Sequence, residues 1–227
     1  MSLAHGLIGK QSVVMAADSY GHSNDPGGMY GYHFSKLMLV NQDRWILGIA
    51  GSDSSRSIPE ELQRKQFTFD GQIDDAVLRY SKEIFSIRVE RSYRGDCYFL
   101  LAAFDNGVPC FYEWHLLDSG SGQLSRRLSV QIAAIGARYH GALYFSHAYH
   151  RPDMGDEELA LLAHFCVSEA ANHDPRIGRP IDVGIVRSDG ARLLAPEEIA
   201  AVEAASLEVA SEIRGVFNGH VLKLPRL

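Results

Sequence analysis

Short apolar runs separated by polar turns dominate the first half of the sequence and predict paired β-strands. Residues 3–9 and 12–18 flank Lys10-Gln11 and predict a hairpin, and Asp105-Asn106-Gly107 predicts another because Asn-Gly suits a turn that needs positive φ. The further predicted strands cover residues 34–40, 45–50, 98–104, 108–115, 128–135 and 181–187. Residues 20–33 are rich in Gly, Asn, Asp and Pro and are predicted to form a loop.

Helical periodicity marks several other segments. Residues 74–90 carry apolar side chains at helical spacing, and three more helices are predicted over residues 137–149, 156–173 and 196–216. A further helix is predicted after Gly51, disturbed near Pro59. Because the strands come in hairpins rather than alternating singly with helices, this order predicts an α+β fold with antiparallel sheets inside and helices outside.

Composition narrows the class of protein. The chain has 227 residues, of which 46% are hydrophobic, and a net charge of −6. This length predicts a single domain over residues 1–227, with residues 196–227 as a C-terminal helix and tail. No apolar run reaches the roughly 18 residues of a membrane span, and the first residues lack a signal-peptide pattern, so we expect no membrane partner. Without a basic excess or a Lys/Arg-rich run, we also expect no nucleic-acid partner.

Cysteine and histidine spacing gives further expectations. Cys97, Cys110 and Cys166 form no CxxC pattern and predict buried thiols of a reducing compartment, which places the protein in the cytoplasm. His147 and His150 lie one turn apart on a predicted helix, which leaves a shared metal or aromatic packing as interpretations. The lack of an HExxH pattern and the aromatic residues around them favour packing, so we predict no metal and no cofactor.

Four residues near the start of the chain have the chemistry of one site. Ser2 becomes the first residue if Met1 is removed, and the α-amine of a terminal serine can accept the proton of its own hydroxyl. Asp18 ends the second predicted strand, and Lys36 lies near the start of the next one. Gly51 follows the fourth predicted strand and offers a backbone N–H for an oxyanion. Each also has an ordinary interpretation, as an exposed terminus, a capping residue, a solvated charge and a turn glycine.

The residues around Asp18 resemble a known family. Residues 13–19, Val-Val-Met-Ala-Ala-Asp-Ser, resemble the second strand of the proteasome β-subunit-like family of N-terminal-nucleophile hydrolases. The resemblance continues through residues 35–40 and 47–51 and returns at residues 134–136, 171–174 and 181–190. It implies a four-layer αββα sandwich, with antiparallel sheets between helix layers. It also implies Ser2 as the nucleophile, Asp18 and Lys36 as its catalytic partners, Gly51 as the oxyanion glycine and Asp174 as a support of the terminus.

The same resemblance implies a function and leaves an alternative. The function is hydrolysis of a peptide or other amide through an acyl-enzyme on Ser2 after removal of Met1, in a homo-oligomeric ring whose partner ATPase is unknown. However, Ala137 and Ile177 stand where the family carries supporting hydroxyls. The alternative is therefore a non-catalytic ring or scaffold subunit that has lost hydrolytic activity.

Overall fold

The structure is a computed structural model that describes residues 2–25, 28–51, 54–65, 71–118, 122–136 and 140–219. These residues form an α+β fold with two five-stranded antiparallel sheets, one two-stranded antiparallel sheet and five helices. In chain order the elements are β1 (Leu3–Ile8), β2 (Val13–Asp18), β3 (Tyr20–Asp25), β4 (Gly28–His33), β5 (Leu37–Val40), β6 (Trp45–Gly51), α1 (Ser54–Arg64), α2 (Ile73–Glu90), β7 (Cys97–Asp105), β8 (Val108–Leu116), β9 (Gly122–Leu128), β10 (Ile132–Gly136), α3 (His140–Tyr149), α4 (Asp156–His173), β11 (Ile181–Arg187), β12 (Gly190–Leu193) and α5 (Pro196–Gly219).

The two large sheets differ in how they are connected. The first has the strand order β10-β1-β2-β11-β12, so strands distant in sequence lie side by side. The second has the order β5-β6-β7-β8-β9 and is a meander of sequential neighbours. Within the described parts of the chain, strands β3 and β4 form a separate two-stranded sheet. The first sheet therefore brings the start of the chain beside residues that follow it by more than 100 positions.

Strand β2 is buried along its whole length, which explains why its sequence is apolar without alternation. Val14 and Ala16 join a cluster that contains the apolar side chains of α4, such as Leu159. Val13 and Met15 point the other way, into a cluster that includes side chains of β6 and β7 in the second sheet. A third cluster joins the second sheet to α1 and α2. Apolar packing on both faces thus fixes the register of β2 and the position of Asp18 at its end.

Several local predictions were wrong, for physical reasons that the structure gives. Residues 20–33 were predicted as a loop, but they contain β3 and β4, whose polar and glycine-rich sequences lack the apolar alternation typical of strands. The prediction also missed β12, which is a short edge strand, and β9, which carries few apolar residues. Helix α1 continues through Pro59, since Ile58 and Leu62 pack into the core on either side of it and offset the lost hydrogen bond.

The cysteines, the surroundings of the histidines and the helices bear on the expectations drawn from residue type and hydropathy. All three cysteines are buried and none forms a disulfide within the described residues, which confirms the prediction of buried thiols. Phe145 of α3 stacks on Tyr149 at 6.3 Å between ring centroids and packs edge-on against Phe165 of α4 at 5.2 Å. The Nε2 atom of His150 lies 2.6 Å from the carbonyl oxygen of Ile8. Among the helices in the described ranges, none combines the length and apolarity that crossing a membrane requires.

Candidate active site

The hairpin of β1 and β2 carries Asp18 back beside the start of the chain. Ala4 pairs with Ala17 in an antiparallel hairpin. Leu3 precedes Ala4 and Asp18 follows Ala17, so Leu3 and Asp18 lie opposite each other. The backbone N–H of Leu3 donates to Oδ1 of Asp18 at 2.8 Å, and the Asp18 side chain is fully buried. Ser2 is itself 7% exposed. Asp18 therefore holds the main chain that immediately follows the predicted nucleophile.

Lys36 is the cation of the site and is buried almost completely. Its Nζ donates to Oδ2 of Asp18 at 2.6 Å and to the carbonyl oxygen of Tyr20 at 2.5 Å. Nζ also lies 5.6 Å from the centroid of the Phe34 ring. Burial lowers the pKa of Lys36 because it disfavours the charged amine, and the Asp18 carboxylate opposes this shift.

Gly136, at the end of β10, lies close to both Ser2 and Ala50, near the end of β6. Gly136 has a φ of +92°, and a Cβ at this position would lie 1.9 Å from the carbonyl oxygen of Ser2 and 2.8 Å from Cβ of Ala50. The main chain of Ser2 thus lies against the residue that precedes Gly51. Gly51 itself has a φ of +125°, and a Cβ there would lie 2.1 Å from the carbonyl oxygen of Asp96. Only glycine fits at either position.

Asp174 ends α4 as its C-terminal cap and is engaged by a nearby arginine. Arg176 donates from Nε to Oδ1 at 2.8 Å, from Nη2 to Oδ2 at 2.7 Å and from its backbone N to Oδ1 at 3.0 Å. These hydrogen bonds lower the pKa of Asp174 to about 2. The resemblance predicts that Asp174 supports the terminus; in the structure each of its side-chain oxygens accepts a hydrogen bond from Arg176.

The loop after Asp174 reaches the site through its backbone. The N–H of Gly178 lies 3.3 Å from Oδ2 of Asp18, and the carbonyl of Pro180 accepts from the hydroxyl of Ser19 at 2.6 Å and from its N–H at 3.0 Å. Sequence reasoning missed these contacts, together with the Tyr20 carbonyl that binds Lys36. Main-chain donors and acceptors carry no residue signature, so only the strand pairing of β2 with β11 could have indicated them.

The sequence departs from the family pattern at Ile177 and at Ala137, and the structure describes the first of these positions. Ile177 is 3% exposed and belongs to the apolar cluster that also contains Leu3 and the side chains of α4. This position is therefore part of the core, which explains why it carries a large apolar side chain. Ala137 and Met1 lie outside the described residues.

Comparison with known proteins finds likeness at the level of the fold. No protein-family model matches the sequence, and no curated protein does. Anbu from Hyphomicrobium sp. strain MC1 is similar in structure, with a TM-score of 0.73, 16% identity and 99% of each chain covered. Anbu (ancestral beta-subunit) from Yersinia bercovieri has a TM-score of 0.72, 15% identity and 99% of each chain covered. A Gly-1 mutant of the Hyphomicrobium protein has a TM-score of 0.71 at 15% identity, with 100% of this chain and 99% of that chain covered.

The chain has a proteasome-like fold. The narrower prediction, a member of the proteasome β-subunit-like family of N-terminal-nucleophile hydrolases, is wrong, since the similar structures are Anbu, an ancestral β-subunit, and 15–16% identity shows a shared fold only. The sequence of residues 13–19 is less specific to that family than predicted. Its residues 13–17 are all fully buried, so packing in the sheet alone selects small and β-branched side chains there.

Proposed function

We propose that the chain is an N-terminal-nucleophile amide hydrolase that acts on peptides or other amides through Ser2 after removal of Met1. The observation that carries this proposal is the position of Asp18, whose two oxygens bind the Leu3 N–H and the Lys36 amine. One buried carboxylate therefore fixes both the main chain after Ser2 and the cation of the site. Such preorganisation is what a nucleophile and its proton acceptor require.

The proposed reaction uses groups of this chain alone. The α-amine of Ser2, whose ordinary pKa is near 7.7–8.0, accepts the hydroxyl proton while Oγ attacks the carbonyl carbon of the amide. The tetrahedral intermediate expels the amine of the substrate, which takes that proton, and leaves an ester on Oγ. Water then adds to the ester with the α-amine again accepting a proton. Loss of the carboxylic acid returns the proton to Oγ.

The other residues have roles that follow from charge and geometry. Lys36 stabilises the developing negative charge on Oγ, and Asp18 orients Lys36 and balances its charge. The backbone N–H of Gly51, at the end of β6, is the proposed donor to the oxyanion. Asp174 acts at a distance in this proposal, by shaping the loop that leads to Gly178.

We also propose that the elements form the four-layer αββα arrangement within one domain, which assembles into a homo-oligomeric ring. The packing supports this, because one apolar cluster is shared by the two sheets and two others join helices to them. The proteasome-like fold supports assembly, since a ring of copies would shield the terminus of each subunit.

The test is covalent labelling of a chain that begins at Ser2. The protein is prepared with Ser2 freed by cleavage of an N-terminal fusion and treated with a peptide β-lactone, which acylates terminal hydroxyl nucleophiles. Peptide mapping should place one adduct on Ser2, and Lys36→Ala should slow labelling by at least about 100-fold because the charge on Oγ loses its partner.

Two matched controls make this result specific. Lys65→Ala removes a lysine whose Nζ pairs with Glu83 at 2.6 Å on the surface and should label like the parent chain. A chain that retains Met1 should not label, because the α-amine then belongs to another residue. The proposal fails if the chain that begins at Ser2 is folded but neither labels nor releases amine from peptide substrates.

A non-catalytic scaffold subunit is the second candidate, and a specific observation favours it. Arg176 occupies both oxygens of Asp174, and Ile177 fills a core position where the resemblance implies a hydroxyl. This candidate predicts a chain that assembles in light-scattering measurements but leaves Ser2 unlabelled. Labelling of Ser2 that depends on Lys36 would contradict it.

A further inference from the structure

Asp182 is an acidic residue that the proposed reaction does not use, and it lies on the inner face of the first sheet. It pairs with Ala17 across β2 and β11, one position from the pairing of Asp18 with Ile181. Ala17 faces the cluster shared by the two sheets, and residues directly opposite in a sheet point to the same side. Val186, four residues along β11, belongs to the same cluster. The Asp182 side chain therefore points from the first sheet towards the second.

The segment that Asp182 meets is the one that carries Lys36. Strand β11 contacts β5, and Ser35 and Lys36 immediately precede β5. The Asp182 carboxyl lies near enough to Ser35, Lys36 and Asp18 for all three to shift its pKa. In the described part of the chain, Oδ2 of Asp182 is a buried atom without a hydrogen-bond partner. An ionised carboxylate with an unpartnered buried oxygen is costly, whereas a proton on that group reduces the cost.

The hydroxyl of Ser35 has an acceptor other than Asp182. A serine hydroxyl has one proton, and Oγ of Ser35 lies 2.9 Å from the carbonyl oxygen of Leu37, which can only accept. A proton that Ser35 donates to Leu37 is not available to the Asp182 carboxyl. Burial raises the pKa of Asp182 above the ordinary carboxyl range, and this is opposed by Ser35 and Lys36 and reinforced by Asp18.

Charge balance links this proton to Lys36. The Asp18 carboxylate already neutralises the Lys36 ammonium at 2.6 Å. A second ionised carboxyl would give the buried group a net negative charge and would favour the protonated form of Lys36. The two groups therefore titrate together rather than independently.

We infer that Asp182 is a positioning residue that holds a proton beside the Asp18–Lys36 pair and, by keeping or releasing it, sets the charge of Lys36. Its contribution to catalysis rests on the function proposed above, but its coupling to Lys36 does not. Among the described residues, the charged groups that act on Asp182 are Lys36, from the segment before β5, and Asp18, from the end of β2.

The first test measures folding stability against pH for Asp182→Asn, with Asp189→Asn as a control that removes an exposed charge at the end of the same strand. The folded parent chain keeps the Asp182 proton to a higher pH than the unfolded chain does. As pH rises above about 4, the free energy of unfolding of the parent chain should therefore fall relative to that of Asp182→Asn. The control should stay parallel to the parent. A constant difference between Asp182→Asn and the parent at every pH would overturn the inference.

A second measurement uses the parent chain and does not depend on the folding of that variant. Carbon NMR of the aspartate carboxyls should show one resonance that titrates above the ordinary range. Its midpoint should rise in Lys36→Met, because the neighbouring positive charge is gone. If every aspartate carboxyl titrates in or below the ordinary range, Asp182 does not hold a proton.

The catalytic consequence is measured separately from these. In Asp182→Asn the limb of the pH profile for Ser2 labelling that reports Lys36 should move to lower pH, because asparagine cannot acquire the negative charge with which Asp182, after it releases its proton, stabilises the ammonium. An unmoved limb would overturn the role in catalysis. If the parent chain labels at no pH, the proposed function fails, while the stability and NMR measurements still decide whether Asp182 and Lys36 are coupled.

Discussion

Two carboxylate–cation pairs lie in or beside the candidate site, and they differ in burial and in the segments that they connect. In the pair of Asp18 and Lys36 the side chains are 0% and 1% exposed, and in the pair of Asp174 and Arg176 they are 11% and 55% exposed. Asp18 binds groups from three separate segments, at Leu3, Lys36 and Gly178. Asp174 receives its hydrogen bonds from Arg176, only two residues away.

The difference separates a pair that organises the site from one that organises a turn. A buried carboxylate must find partners for both oxygens, and Asp18 finds them in the main chain at Leu3, the Lys36 cation and the loop at Gly178. A pair with one exposed member gains less from its charges, because water competes for the exposed arginine. The comparison predicts that changes at Asp18 disturb the whole site, whereas changes at Arg176 stay local.

The largest effect is expected from Asp18→Ala. This change leaves the buried Lys36 without a counterion and should lower the free energy of unfolding by about 3–5 kcal/mol. Urea unfolding at neutral pH measures it, with Asp174→Ala as the matched carboxylate removal. The double variant Asp18→Ala/Lys36→Met should regain part of the loss, because the unpaired charge is gone. An equal loss in the two single variants would contradict the distinction between the pairs.

An intermediate effect is expected at Ile177, which follows Arg176 and turns into the core. Ile177→Ser should cost about 3 kcal/mol of stability, since it removes buried apolar volume, and the conservative Ile177→Val about 1 kcal/mol. Ile177→Ser should also fail to raise the rate of Ser2 labelling, because a side chain at position 177 lies in the apolar cluster that contains Leu3. Faster labelling without loss of stability would mean that a hydroxyl at position 177 reaches the site.

The sequence signals around the two pairs differ in strength. The apolar run of β2 and the hairpin with β1 are strong signals, and they bring Asp18 to the start of the chain. Helix α4 and β11 also have the predicted bounds, because both carry long periodic apolar patterns. The partners of Asp174 could not be foreseen in the same way. The turn after α4 contains Asp174, Arg176 and Ile177, and which of them faces the site depends on its backbone dihedrals rather than on periodicity.

The contacts of the remaining site residues could not be predicted from local sequence either. Tyr20, Gly178 and Pro180 contribute backbone atoms, and these are positioned by strand pairing between distant segments. Asp182 lies in a strand whose apolar pattern was recognised, but its facing direction follows from the register with β2. Strand existence is therefore predictable from local sequence, whereas the neighbours of each side chain require the order of strands in the sheet.

The smallest effect is expected from Arg176→Gln, and its pH dependence identifies the cause. Arg176 holds the pKa of Asp174 at about 2, below its ordinary value of 3.8. A lowered carboxyl pKa stabilises the folded chain above pH 3.8 and loses that contribution as pH falls towards 2. Arg176→Gln should therefore be slightly less stable than the parent chain near neutral pH and equally stable near pH 2.

The matched controls for this change separate the pair from a general loss of charge. Arg151→Gln removes another exposed arginine, which pairs with Glu158 at 2.9 Å, and should leave the acid limb of the stability curve unchanged. In the Asp174→Asn background, Arg176→Gln should have no pH-dependent effect, because the titrating group is gone. A loss that persists in this background, or one that slows Ser2 labelling as strongly as Lys36→Ala does, would mean that the exposed pair also organises the site. In that case burial would not be what distinguishes the two pairs.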